Sequence, residues 1–323
     1  MCGSIDDVAD RRWFELFYDL VFVAALVNGC HLFQHEPTIL LGAWLGATLV
    51  VMLVLWILTA LHANLYRTDN WLRRTLVLIQ MFSVAIAILA IGRSTESLSD
   101  KIGFLALGIA FLSIALMYAA SDRAHYRGEA RLVTWSSGLA GVILIAGAPF
   151  AHPGAWIAGP VFAVGAVVGC LPVYWTLLGR LVDKRLDVER FSERLGELLV
   201  IVLGESFVEV VIRLDGFASI PNFPVLATSF LITFATWFCY FTFINPRQLP
   251  RTAGPLRLWF SAYFLLIFGL MAVATRAGLL VVEPWRETLT TLPWIWTVIP
   301  FVYITVALAA LYRISRRYPL LHR

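Results

Sequence analysis

The chain has 323 residues, 60% of them hydrophobic and 14% charged, with a formal net charge of +4. Soluble domains are roughly 45–50% apolar and about 25% charged, so a mean hydropathy of +0.80 argues against a water-soluble enzyme or a nucleic-acid-binding domain. Cys2, Cys30, Cys170 and Cys239 are scattered without C-x-x-C spacing, which argues against a disulfide framework or a zinc knuckle.

Apolar runs of about 20 residues suit the hydrocarbon core of a bilayer. Ten occur, near 13–34, 38–61, 75–92, 102–120, 132–150, 154–178, 195–212, 223–245, 258–275 and 291–312. The first follows an acidic, polar head and carries Glu15 and Asp19; lacking a basic start and a small-residue cleavage site, it reads as a retained span. It ends at His31 and His35. That i, i+4 pair has zinc-ligand spacing but no third ligand beside it, so interfacial histidines are the preferred account and no metal or other cofactor is expected. Gly42 and Gly46 in the second run, and Gly165 and Gly169 in the sixth, are small-x-x-x-small pairs suited to close helix approach. Arg67 and Asp69 read as a loop ion pair, and Gln80 in the third run as inter-helix glue. Pro160, Pro172 and Pro300 mark kinks in spans six and ten. Trp13, Trp71, Trp156, Trp285 and Trp294 sit near span boundaries as interfacial anchors. The stretch from Arg180 to Arg194 alternates charge with apolar residues, as an interfacial segment touching anionic lipid does.

No linker or soluble domain separates these runs. The expected architecture is all-α: a single polytopic membrane domain of about ten transmembrane helices over residues 1–323. With the amino terminus inside, twenty of the 25 lysines and arginines fall on the inner side; only Arg93, Lys101, Arg213, Arg276 and Arg286 fall outside. This positive-inside bias places both termini in the cytoplasm.

The informative anomaly is acid within spans. Span one holds Glu15 and Asp19; span seven holds Glu193, Arg194, Glu197, Glu205 and Glu209. An ionisable group at the bilayer centre costs roughly 2.5–3.5 kcal/mol even on the lenient insertion scale, so span seven must line a protein interior or a wet cavity. Glu205, about 18 Å along the axis from Glu193, lies deepest in this reading and is favoured as functional. For Glu15 and Asp19, pairing with Arg11, Arg12 or Arg194 competes evenly with a functional role, and Glu193 reads as a rim charge. Glu15-x-x-x-Asp19-Leu20 also resembles Glu193-x-x-x-Glu197-Leu198, which suggests a parallel repeat of spans 1–4 and 7–10 (residues 13–120 and 191–312). No phosphate-binding loop, dinucleotide fingerprint, zinc-protease or nucleophile-elbow motif is present, and neither Lys101 nor Lys184 lies mid-span to hold a retinal.

The segments Glu15-Leu16-Phe17-Tyr18-Asp19-Leu20-Val21-Phe22-Val23 with His31, and Glu193-Arg194-Leu195-Gly196 with Leu203-Gly204-Glu205-Ser206, resemble the bacterial low-temperature-requirement A family. The Arg67-Thr68-Asp69 loop and Gln80 fit more loosely. The resemblance implies a multi-span membrane protein with a link to growth in the cold, and marks Glu15, Asp19, Glu193 and Glu205, with Arg194 and Gly196 beside them. Two positions depart from it: Glu197 stands where an apolar residue is usual, and the ninth span has no histidine.

The leading expectation is an inner-membrane transporter or channel-like protein with its site between spans one and seven. Glu205 and Asp19 would bind protons or cations, with Glu15, Glu209 and His31 along the path and Glu193 and Arg194 at its rim. The expected partners are membrane lipids, a proton or cation, and a small molecule or lipid, with no nucleic acid. The rivals are a membrane-embedded acid–base enzyme acting on a lipid or isoprenoid, and a structural stress-adaptation protein whose acids only pack.

Overall fold

The computed structural model describes residues 5–35, 39–66, 70–91, 97–121, 127–151, 157–172, 174, 186–213, 223–244, 249–250, 252–282 and 295–317. They form ten α-helices: α1 (Ile5–His35), α2 (Ile39–Tyr66), α3 (Trp71–Ile91), α4 (Ser97–Ala120), α5 (Arg127–Gly147), α6 (Ala158–Pro172), α7 (Val188–Arg213), α8 (Phe223–Phe243), α9 (Ala253–Val282) and α10 (Ile295–Arg317). A 3-10 turn, Ala148–Phe150, extends α5. No strand occurs among the described residues. Each apolar run in the sequence overlaps one of these helices. Seven helices (α2 to α5 and α8 to α10) are long and apolar enough to cross a membrane. Of the others, α6 has only 15 residues, while α1 carries Glu15 and Asp19, and α7 carries Glu193, Glu197, Glu205 and Glu209.

Local chemistry sets several helix ends. Asn70 caps α3: the Arg73 amide donates to its Oδ1 at 2.9 Å. Asp100 and Glu129 occupy the first turns of α4 and α5, and Arg316 and Arg317 the last turn of α10, each matched to the helix dipole. Pro160 sits in the first turn of α6 and Pro172 ends it, whereas Pro300 lies inside α10. Several helix hydroxyls return to their own backbone: Ser206 donates to the Val202 carbonyl, Thr275 to Met271 and Thr233 to Ser229. That satisfies them where no water is at hand.

The chain divides into two compact units, residues 1–25 with 43–187, and residues 26–42 with 188–323. In the first, α4 packs on α3 and α5, and α5 on α6. Glycine permits the closest of these approaches. A Cβ added at Gly108 would lie 2.9 Å from the Gly141 carbonyl oxygen, and one at Gly141 2.8 Å from that of Gly108. Of the pairs noted in the sequence, Gly165 faces Leu144, and Gly169 faces Phe111 and Ala140. Phe162 joins the rings of Trp44 and Phe104. Trp13 and Trp71 are exposed, as interfacial anchors would be.

In the second unit, α9 packs against α7, α8 and α10. Gly269 lets α9 approach α10, where an added Cβ would lie 2.7 Å from Ile304 Cγ1. Phe191, Tyr240, Trp259, Phe260 and Tyr263 knit α7, α8 and α9 together, Trp259 stacking on Tyr263 at 5.4 Å. The sequence ends the ninth span before Arg276; the helix continues through it to Val282, with Arg276 buried. Hydropathy marks where apolar residues stop, whereas a helix extends through any residue whose side chain finds a polar environment.

Candidate functional site

In the first unit, α1, α2, α3 and the end of α4 bring polar side chains together at successive depths. Asp19 on α1 has no exposed surface, and the Trp56 Nε1–H of α2 donates to its Oδ1 at 2.7 Å. One turn further along α2, the Thr59 hydroxyl lies 2.9 Å from Gln80 Oε1 of α3 and 3.0 Å from the Leu55 carbonyl. Gln80 donates through Nε2 to the Tyr18 hydroxyl at 3.0 Å, tying α3 to α1. Another turn along, His62 Nε2 lies 2.9 Å from Ser121 Oγ at the end of α4. Its ring is held by Tyr66 at 4.7 Å and edge-on by Tyr118 at 5.0 Å. The Tyr118 hydroxyl in turn donates to the Leu58 carbonyl. Near this level the Arg73 guanidinium lies 3.6 Å from Glu15 Oε1, both side chains buried.

The spacing of this column is helical. Trp56, Thr59 and His62 recur every third residue on α2, about 4.5 Å apart along the axis, so they share a face. Because α2 runs antiparallel to α1 and α3, its later residues meet the earlier ones of its neighbours. Glu15, Arg73 and His62 therefore lie toward one end, and Tyr18, Asp19, Thr59, Trp56 and Gln80 toward the other, Tyr18 and Asp19 being neighbours on α1. Ser121, half-buried at a helix end, sits at the column's foot.

Below the column, Asn64 makes a reciprocal pair with the chain leading into α7: its Nδ2 donates to the Asp187 carbonyl and its Oδ1 accepts from the Asp187 amide, both at 2.9 Å.

The acids of α7 lie in the second unit and differ in burial. Glu193 is exposed and Glu197 and Glu205 are half-buried, while Arg194 and Glu209 are buried. Val210, beside Glu209, packs with Val225 of α8 and with Ala277, the residue after Arg276 on α9, so Glu209 and Arg276 share a level of that unit. The Tyr263 hydroxyl donates to the Leu195 carbonyl at 2.6 Å beside Arg194, and Gly196 faces Phe241 at ordinary contact distance.

Of the residues singled out in the sequence, Glu15, Asp19 and Gln80 thus fall in one column of the first unit, and Glu193, Arg194, Glu205 and Glu209 on one helix of the second. His31 and His35 belong to α1, but their side chains lie outside the described residues, as do the Arg67–Asp69 loop, the stretch 180–185, and Trp156, Trp285 and Trp294. The sequence reading missed Trp56, Thr59, His62, Arg73 and Ser121 as members of the column. The signal available was His62 and Thr59 recurring with Trp56 at three-residue spacing inside the otherwise apolar second run.

The fold and this polar interior define a polytopic α-helical membrane protein with charged and hydrogen-bonding groups inside its bundle. The chain belongs to the family of bacterial low temperature requirement A proteins (LtrA), whose model matches residues 12–323. It is also similar to an uncharacterized protein of Rhizobium meliloti (strain 1021), 24% identical over 265 residues. That match covers 79% of this chain but only 64%, less than two thirds, of the relative. No solved structure matches.

Proposed function

We propose that the protein is a transporter or channel-like protein of the bacterial inner membrane that moves protons or another small cation, alone or with a substrate. Its working groups are the intramembrane carboxylates, Asp19 and Glu15 in the first unit and Glu205 and Glu209 in the second. One observation carries the reading: Asp19, wholly buried in a membrane-family bundle, is held by the Trp56 indole within a column of hydrogen-bonding groups. Intramembrane acids are costly and are retained chiefly along ion paths. Ten crossings with both termini cytoplasmic is the topology that the arginine distribution supports. Through the family we extend the reading to growth in the cold, where loss of the protein slows growth.

The test is proton flux into liposomes holding the purified protein, with a trapped pH-sensitive dye and an imposed pH gradient. Asp19→Asn and Glu205→Gln are compared with wild type at matched reconstitution. Flux in each variant falls by about tenfold or more. Wild-type flux in both, with only the unfolding midpoint lowered, makes the acids packing elements and overturns the proposal.

A further inference from the structure

The two buried acids of the first unit are each engaged by a group that has hydrogens to give and no lone pair to offer. Asp19, with no exposed surface, accepts the Trp56 indole N–H at 2.7 Å on Oδ1. Glu15 Oε1 lies 3.6 Å from the Arg73 guanidinium, and both of those side chains are buried. Indole and guanidinium are donors only.

These partners bear on which cation the acids can take. A metal ion that leaves water must have its hydration shell replaced, by about six oxygens for a hard cation. Beside Asp19, Trp56 presents a hydrogen where such an ion needs an oxygen, and the group set against Glu15 again has none. The hydroxyls of the column near Asp19 serve the Gln80 amide instead. Tyr18 accepts from Gln80 Nε2 at 3.0 Å, and the Thr59 hydroxyl lies 2.9 Å from Gln80 Oε1 and 3.0 Å from the Leu55 carbonyl. Among the described residues, no three His, Cys, Asp or Glu side chains are grouped to hold a metal ion.

A proton makes no such demand. It needs a single lone pair, and each carboxylate oxygen has two, so an oxygen that accepts an N–H has a second position for a proton. The indole can therefore stay on Asp19 while the acid loads and unloads.

We infer that the ion taken by Asp19 and Glu15 is the proton itself, and that metal cations are refused for want of oxygen ligands. The inference rests on the ion-path reading and narrows it to one ion.

The experiment uses full-length protein in phosphatidylethanolamine–phosphatidylglycerol liposomes, with two readouts on matched vesicles. One is a trapped pH dye under an imposed pH gradient, in sodium buffer and again with choline in place of sodium. The other is uptake of radiolabelled sodium, rubidium and calcium. Proton flux is the same in both buffers and falls about tenfold or more in Asp19→Asn, while uptake of each metal equals that of protein-free vesicles. Metal uptake above the protein-free level, or proton flux that disappears in choline, overturns the inference. Both of those comparisons use the wild-type protein, so they hold should Asp19→Asn not fold. Failure of the underlying ion-path reading looks different: vesicles with protein then match protein-free ones for every ion, or Asp19→Asn keeps the wild-type proton flux.

Discussion

The helices α1 and α7 carry the same short pattern, an acid followed four residues later by another acid and a leucine, yet their carboxylates meet different surroundings. On α1 both acids are buried, Glu15 beside the Arg73 guanidinium and Asp19 under the Trp56 indole. On α7 the matching Glu193 is exposed and Glu197 half-buried, and only Glu209, four turns further on, is as buried as the α1 pair. An acid-x-x-x-acid pattern therefore specifies two groups on roughly one side of a helix and nothing about what faces them. Burial of a carboxylate is decided by the donor that a distant segment supplies, and α2 and α3 supply donors for both acids of α1.

That contrast can be broken at its strongest point first. Replacing Arg73 by leucine leaves Glu15 buried without its guanidinium, and thermal unfolding of the detergent-solubilised protein should show a loss of about 3 kcal/mol. Trp56→Phe keeps the ring but removes the donor to Asp19; a loss of about 2 kcal/mol is expected, and a midpoint equal to wild type would mean that Asp19 does not depend on the indole. In the second unit, Tyr263→Phe deletes one hydroxyl bond to the Leu195 carbonyl, and the same assay should register about 1 kcal/mol. Glu193→Gln closes the series: an exposed acid at the start of α7 should leave the unfolding midpoint unchanged. A clear drop there would place Glu193 with the α1 acids and erase the distinction between the two helices.

The positions of the helices were legible because each long run of apolar residues overlaps one helix. Their ends were less so. The hydropathy of span seven begins near residue 195, but α7 begins at Val188, since Glu189, Arg190 and Glu193 are good helix residues that need only a polar outlet. Within the column, Glu15, Asp19 and Gln80 stood out as polar residues in apolar text. Their partners did not, because Trp56 and Thr59 are ordinary in membrane helices and the pairings are non-local. Trp56 is 37 positions from Asp19, Thr59 is 21 from Gln80, and His62 is 59 from Ser121. Glu205 drew attention by its depth along span seven, while the more complete burial belongs to Glu209 one turn later. Depth along an axis follows from counting residues; the direction a side chain takes around that axis depends on which neighbours are present.

The Asn64 pair with Asp187 has a consequence for which mutations the gene can tolerate. Asn64 uses one amide to stand in for a whole peptide group, and it reads only the main chain of residue 187. Asparagine at 64 is consequently hard to exchange, since aspartate lacks the N–H and leucine lacks both partners. At 187, by contrast, every residue except proline presents the same N–H and C=O. A saturation library should therefore find position 64 nearly fixed, while at position 187 these two bonds exclude only proline, an asymmetry between two residues that share the same two hydrogen bonds.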